Sequence, residues 1–341
     1  VTAVLLAAGR RRRRRRRAGL TAAIAGAVLI ALAVTVMVGD TFYGPDEVLR
    51  VVLGQQVPGA SFTVGELRIP RGALGLLSGL AFGMAGVTFQ TMLRNPLASP
   101  DVIGISSGAS AAAVVGIVVL SLDETTVSFL ALGAALATAA VIYLLSRRGG
   151  FAGARLILIG IGVAALLDSA ITYLLSRASQ WDLQTAMQWL TGSLNGASWS
   201  RIVPLAIACA VLVPLLLGLE RQLGLLHLGD DSAASLGVRV GAVRVGVILA
   251  AVGLLAFATA ASGPIAFVAF MAGPIAARLV GPGGSLLMPA GLVGALLVLV
   301  ADLLGQSAVG TRYPVGVITG VLGAPYLLFL LVRTNRSGGS L

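Results

Sequence analysis

Long apolar runs separated by short polar connections set the pattern of this chain. They fall near residues 20–38, 72–92, 102–120, 127–146, 156–175, 202–219, 245–262, 264–280, 286–304 and 313–332. Each run is continuously apolar rather than alternating, so a helix is expected in each and a β-barrel strand in none. Most approach the roughly 20 residues that a helix needs to cross a bilayer. The pattern predicts an all-α fold, a polytopic transmembrane bundle of about ten helices.

The connections carry the polar residues. Arg68-Ile69-Pro70-Arg71 leads into one glycine-studded run, Arg94-Asn95-Pro96-Leu97 forms a proline-marked turn, and Gly104-Ile105-Ser106-Ser107-Gly108-Ala109 opens the next. Pro264, Pro274, Pro289 and Pro325 lie in or at the ends of runs. Broken helices survive in a membrane only where their freed backbone groups are buried or face water, which favours a transporter over a simple anchor. Glycine, at 45 residues, lets such helices approach closely.

Composition agrees with this class. Hydrophobic residues make up 57% and charged residues 11% of 341 positions, and about ten spans leave no room for a soluble catalytic domain. The net charge of +11 resides mostly in Arg10 to Arg17, and the chain contains no lysine. A basic tract in front of a membrane span reads as a cytoplasmic anchor touching anionic lipid, not as a nucleic-acid site. The following run is longer than a signal-peptide core and is expected to be retained as the first helix. The expected division is a cytoplasmic Arg-rich tail over 1–17, a ten-helix membrane domain over 18–333 and a cytoplasmic tail over 334–341. Both termini, Arg94, the Arg147-Arg148-Arg155 cluster and the segment from Glu220 to Arg244 are then inside. Arg50, Arg68, Arg71, Arg177, Arg201 and Arg312 fall outside against the rule.

Candidate chemistry is sparse. Cys209 stands alone in an apolar run and forms no intrachain disulfide. Gly104-Ile105-Ser106-Ser107-Gly108 matches G-x-S-x-G, but the strand-to-helix setting of a nucleophile elbow is missing, so a packing role is expected. Asp168 and Asp302 are intramembrane acids; in an ion-coupled secondary transporter they would form the relay. Trp181, Trp189 and Trp199 share one external connection, where they form an interfacial belt or line the mouth of a pathway. Pathway candidates are Trp189, Gly192, Ser193, Ser106 and Ser107. The cytoplasmic connection His227 to Val240 predicts a short helix capped by Asp230, Asp231 or Ser232 and ended at Gly237. Such a knob suits docking to a motor subunit.

In order, these motifs and Trp189-Leu190-Thr191-Gly192-Ser193-Leu194, Ser235-Leu236-Gly237-Val238, Gly263-Pro264-Ile265-Ala266-Phe267-Val268, Ala301-Asp302-Leu303-Leu304 and Pro314-Val315-Gly316 to Gly323-Ala324-Pro325 resemble the FecCD-type permeases of bacterial ABC importers. That group moves ferric siderophores, haem and cobalamin. The resemblance implies a type II ABC importer permease that pairs with a second, identical or paralogous permease subunit in the bacterial plasma membrane. It implies two cytoplasmic ATPase subunits, which use ATP and Mg and dock on Leu228, Gly229, Asp230, Asp231, Ser232, Ala233, Ala234, Ser235, Leu236 and Gly237. No cofactor is expected on this chain, which has no phosphate-binding loop of its own. The resemblance also implies an extracytoplasmic binding protein that meets Arg68 and Arg71. Two departures stand out. Gly273-Pro274 replaces the usual proline followed by a polar residue, and Gln306 occupies the place of a third outer arginine, for which Arg312 is the substitute.

Overall fold

The computed structural model describes residues 2–100, 104–146, 153–226, 228–281, 283–307 and 312–337. His227 and the Arg147-Arg148 pair lie outside them. Each of the ten predicted helices is present, and the described residues contain no strand. The helices are α1 (Thr2–Met37), α2 (Pro45–Val52), α3 (Ala60–Met92), α4 (Ile105–Val119), α5 (Glu124–Ser146), α6 (Gly153–Arg177) and α7 (Gln180–Thr191). They continue with α8 (Trp199–Gly218), α9 (Glu220–Leu226), α10 (Asp230–Ser235), α11 (Val240–Ser262), α12 (Val268–Val280), α13 (Leu287–Ser307) and α14 (Val315–Ser337). By length and apolarity, 8 of them suffice to cross a membrane, while α4 and α12 are shorter.

The centre of the bundle is α3, packed against α11, α12 and α13. Its approach to α13 depends on missing side chains. Gly79 and Gly83, one turn apart, face Ala290 and Gly294 at the same spacing. A β-carbon on Gly83 would lie 2.2 Å from the Ala290 carbonyl oxygen, and one on Gly294 would lie 2.2 Å from that of Gly79. This is the small-residue stripe that brings membrane helices into backbone contact. Around it, α1 packs on α13 through Val28, Ala31, Ala295 and Leu299. At the periphery, α6 and α14 keep much of their surface exposed.

Besides the short helices α2 and α9 and the earlier start of α3, three elements differ from the sequence expectation. Helix α1 begins at Thr2 and runs straight through the arginine tract, because arginine is a good helix former whatever its hydropathy. Arg11 to Arg16 are exposed, whereas Arg17 donates to the carbonyls of Gly281 and Ser285 at 2.9 and 2.8 Å. The connection between Ser176 and Ser200 contains α7. Its N-cap Ser179 accepts from the Asp182 amide and donates to the Asp182 carboxylate at 2.7 Å, a local signal of helix start.

The third difference lies at α12, which starts at Val268 rather than 264. Gly263 (φ 71°) and Phe267 (φ 63°) both take left-handed backbone and hold the intervening residues out of the helix. Farther along, Pro274 cannot donate to the carbonyl of Phe270. Gln90 of α3 supplies that bond, its side-chain amide donating to the Phe270 carbonyl at 3.0 Å. A β-carbon on Gly273 would lie 2.0 Å from Gln90 Oε1. The unusual Gly273-Pro274 pair is therefore matched: glycine admits the glutamine that repairs what proline breaks.

Candidate functional sites at the two ends of the bundle

One end of the bundle carries a knob formed by α9, α10 and the turn after it. Gly229 (φ 113°) and Gly237 (φ 83°) bracket α10. Val238 and Gly237 donate back to the carbonyls of Ala233 and Ala234 at 3.0 and 2.9 Å, so Gly237 closes the helix as its spacing suggested. The N-cap is Gly229, with no side-chain cap. Asp230 turns elsewhere: both its oxygens accept from Arg244 of α11, at 2.8 and 2.9 Å. Arg94, itself left-handed at φ 53°, reaches Asp230 at 3.5 Å and donates to the Leu226 carbonyl at 2.9 Å.

These contacts tie the knob to the α3–α4 turn and to α11. Ala233 is fully buried beneath it, while Leu228 and Leu236 stand 62% and 60% exposed on its surface. A charge pair anchors the knob from below and two apolar side chains are left on top. Beside it, a cavity of about 900 Å³ opens between Thr91, Glu220, Arg221, Ala277 and Ser285.

The opposite end is organised by Asp302, which is completely buried. Arg71 grips it with two bonds, Nε to Oδ2 at 2.8 Å and Nη2 to Oδ1 at 2.7 Å. Gln306, one turn along α13, donates to Oδ2 at 2.6 Å. The third nitrogen of Arg71 donates to Asn195 Oδ1 at 2.8 Å, extending the network to the turn after α7. Asp302 is thus saturated within the chain, which removes it from the ion-coupled reading. Arg68 is also engaged. Its guanidinium donates to the carbonyls of Val36, Met37 and Thr41 and lies over the Tyr43 ring, closing the last turn of α1 as a cation at a helix C-terminus does. Arg312 stays largely exposed and pairs with exposed Asp40 at 2.5 Å. Arg201, nearly buried, pairs with Glu124.

The end of α7 is held by main-chain atoms. Ser193 donates to the Ser262 carbonyl at 2.8 Å, and Gly316 donates to that of Gly192 at 3.1 Å. A β-carbon on Gly316 would sit 1.7 Å from the Thr191 carbonyl oxygen, and one on Gly263 would sit 2.5 Å from that of Trp189. Two cavities flank this joint. Trp189 and Ser193 line one of about 570 Å³ with Glu124, Asp182, Gln188 and Arg201. Ser106 and Ser107 line another of about 450 Å³ with Ser110, Leu190, Phe267 and Phe270. The five pathway candidates thus fall around one joint rather than in one cavity, with Gly192 at the joint itself. Phe267 is added by the structure alone: its left-handed backbone and ring position give no sequence signal. No group of three or more metal-binding side chains occurs among the described residues.

A polytopic helical bundle with an anchored knob at one end and a jointed helix between two cavities at the other defines a membrane permease. The comparisons name its kind: residues 27–333 match the FecCD transport family, and the chain belongs to it. It is 40% identical over 85% of its length, and 88% of the relative's, to the ferric enterobactin transport system permease protein FepG of Escherichia coli. The achromobactin transport system permease protein CbrC of Dickeya dadantii is 40% identical over 91% of both chains. The hemin transport system permease protein HmuU of Yersinia pestis is 37% identical over 80% of this chain and 84% of its own. Among solved structures, an inward-facing metal-chelate type ABC transporter shares the fold, with a TM-score of 0.82 at 24% identity, covering 92% of this chain and 99% of that one. The chain is a membrane-spanning permease subunit of the ABC importer kind, in which ATP is used by separate subunits.

Proposed function

We propose that this chain, paired with a second permease subunit, carries a ferric siderophore across a bacterial plasma membrane, driven by two ATPase subunits on the knob. The observation that carries the reading is the knob itself: it is anchored by the Arg94–Asp230–Arg244 network yet offers exposed Leu228 and Leu236 to a partner. An anchored element transmits a push to α11 and to the α3–α4 turn, and a loose one would absorb it. The relatives named for ferric enterobactin and achromobactin support an iron chelate as cargo.

Charge supports the orientation. The knob end bears Arg94, Arg221, Arg239, Arg244 and Arg278 beside the arginine tract, and the other end bears the smaller set Arg50, Arg68, Arg71, Arg177, Arg201 and Arg312. By the positive-inside rule the knob end is cytoplasmic, with both termini, the 1–17 tail and the 334–341 tail on that side of an 18–333 membrane domain. An extracytoplasmic binding protein then delivers cargo at the Arg71 end. Arg312, paired with Asp40 at the surface, is the arginine exposed enough to meet its acids directly, while Arg68 and Arg71 shape the surface beneath. ATP binding in the partners moves the knob, and the two permeases rock between outward-open and inward-open states. Uptake of iron-55 siderophore into proteoliposomes holding the whole complex tests this. It should require internal ATP and the binding protein; uptake driven by a proton gradient without them would refute it.

A further inference from the structure

The cavity of about 900 Å³ beside the knob has no part in the importer reading. Its depth in the membrane follows from α1. From Arg17 to Met37, whose carbonyl accepts from Arg68 at 2.8 Å, α1 rises ~30 Å, the thickness of the hydrocarbon layer. Arg17 therefore stands at headgroup level, and exposed Arg11 to Arg16 stand beyond it. Arg17 also reaches the edge of the cavity, since the two carbonyls it grips belong to Gly281 and Ser285, both of which line it.

That edge is shaped to seat a guanidinium. Gly281 and Gly283 are left-handed, at φ 73° and 97°, and a β-carbon on Gly284 would lie 3.0 Å from Arg17 Cζ, so the planar group rests on bare main chain. Two of its five N–H groups are spent on the carbonyls, and among the described residues no carboxylate pairs with it. Arg221, exposed on the α9 wall of the cavity, also has no ion pair among the described residues. Arg13 and Arg14, four and three residues before Arg17, share its helix face one turn farther out. Against these four arginines the cavity sets one carboxylate, that of Glu220.

Leu217, Leu223 and Leu286 give the same cavity apolar walls. Leading away from it along α8, Leu215, Val211, Ile207 and Val203 form an exposed apolar stripe at the spacing of one helix face. A cationic mouth over apolar walls, at the depth where headgroups meet chains, suits an amphiphile with an anionic head. Basic pockets between membrane helices on the cytoplasmic side hold such headgroups.

We propose that this cavity binds an anionic phospholipid of the cytoplasmic leaflet, with its phosphate between Arg17 and Arg221, beneath Arg13 and Arg14, and a chain along the α8 stripe. This rests on the membrane placement in the permease reading and adds to it a specific lipid partner.

The test uses the full complex in nanodiscs and phosphatidylglycerol with a photoactivatable diazirine in one chain. Photolysis should label peptides around Leu217 and Leu286 several-fold more than the same diazirine chain on phosphatidylcholine does. Arg17→Gln and Arg221→Gln should each close most of that gap; Arg221 makes no side-chain bond among the described residues, so its variant is free of a folding defect. Arg50→Gln, at the other end, should leave the preference intact. Unlabelled phosphatidylglycerol should compete for the site, and inorganic phosphate should not. Equal labelling by the two lipids, or a preference unmoved by Arg17→Gln and Arg221→Gln, overturns the site. Phosphate competing as well as lipid overturns the lipid in favour of a free anion, and labelling that emerges only after the ATPase subunits are stripped assigns the cavity to them instead. If the preference holds while the complex shows no ATP-driven uptake, the importer reading fails and the lipid site stands.

Discussion

Arg71 and Asp302, 231 positions apart, meet in a two-pronged ion pair beneath one end of the bundle. Arg71 is only 18% exposed and Asp302 not at all. The pair joins α3 to α13 at the level where Asn195 brings in the end of α7. Removing one member leaves a buried charge without its partner, at a cost of about 3–5 kcal/mol. Arg71→Met and Asp302→Leu should each lower the thermal midpoint of the protein in lipid nanodiscs strongly. The double variant should recover much of that loss, because two apolar groups leave no orphan charge. Additive losses in the double variant would count against the pair.

The repair of α12 by Gln90 makes a second expectation. Gln90→Leu leaves the Phe270 carbonyl buried and unbonded, at a cost of about 1–3 kcal/mol. In a background where Pro274→Ala restores the helical amide, the same substitution should cost much less. Thermal unfolding of the four variants in a cycle measures the difference.

Beneath the knob, Ala233 is fully buried. Ala233→Phe should lift α10 from its seat, with an overpacking cost of about 1–3 kcal/mol. ATP hydrolysis by the assembled complex should persist while uptake falls at least tenfold. Normal uptake per ATP with Ala233→Phe would argue against docking at this knob.

Glycines in this chain are not equivalent. Gly316→Ala drives a methyl into the Thr191 carbonyl and should displace the end of α7, lowering both stability and uptake. Gly133, inside α5, has open space around it, so Gly133→Ala should be neutral or stabilising by up to about 1 kcal/mol. Thermal midpoints of the two variants should move in different directions.

Asp123 caps α5. Its carboxylate accepts the Thr126 hydroxyl at 2.5 Å and the amides of Thr126 and Thr125 at 3.1 and 3.0 Å. These bonds, the Thr126 hydroxyl foremost, hold the carboxyl below its ordinary value. Folding therefore favours the ionised form. The stabilisation is present above the normal aspartate range near pH 4 and is lost as pH falls through the lowered value. Asp123→Asn should lower the thermal midpoint at pH 7 and change it little in strong acid, measured by unfolding from pH 7 into strong acid.

The spans were legible because hydrocarbon imposes one rule on every backbone group, and apolar length alone reports it. Gly237 was legible for a similar reason, as a short helix needs a left-handed residue to stop. The arginine extension of α1 was missed because hydropathy carries no information about a helix beyond the membrane. Helix α7 carried a usable signal in Ser179 and Asp182, the N-cap residue and its partner three positions on. The pairs Arg71–Asp302 and Arg201–Glu124 had none, since partners that far apart in sequence meet only after the helices have packed. Arg68 shows that sequence position alone does not report a side chain's contacts, since its guanidinium serves the terminus of the chain's own α1.

The joint at Gly192, Gly263 and Gly316 is built from main-chain atoms, so its geometry is independent of the side chains beside it. Ser193, Leu190, Phe267 and the other cavity side chains can change while the joint keeps its shape. The side chains that line the two cavities and the contacts that hold the end of α7 are thus encoded in different atoms, so one set can be replaced without disturbing the other.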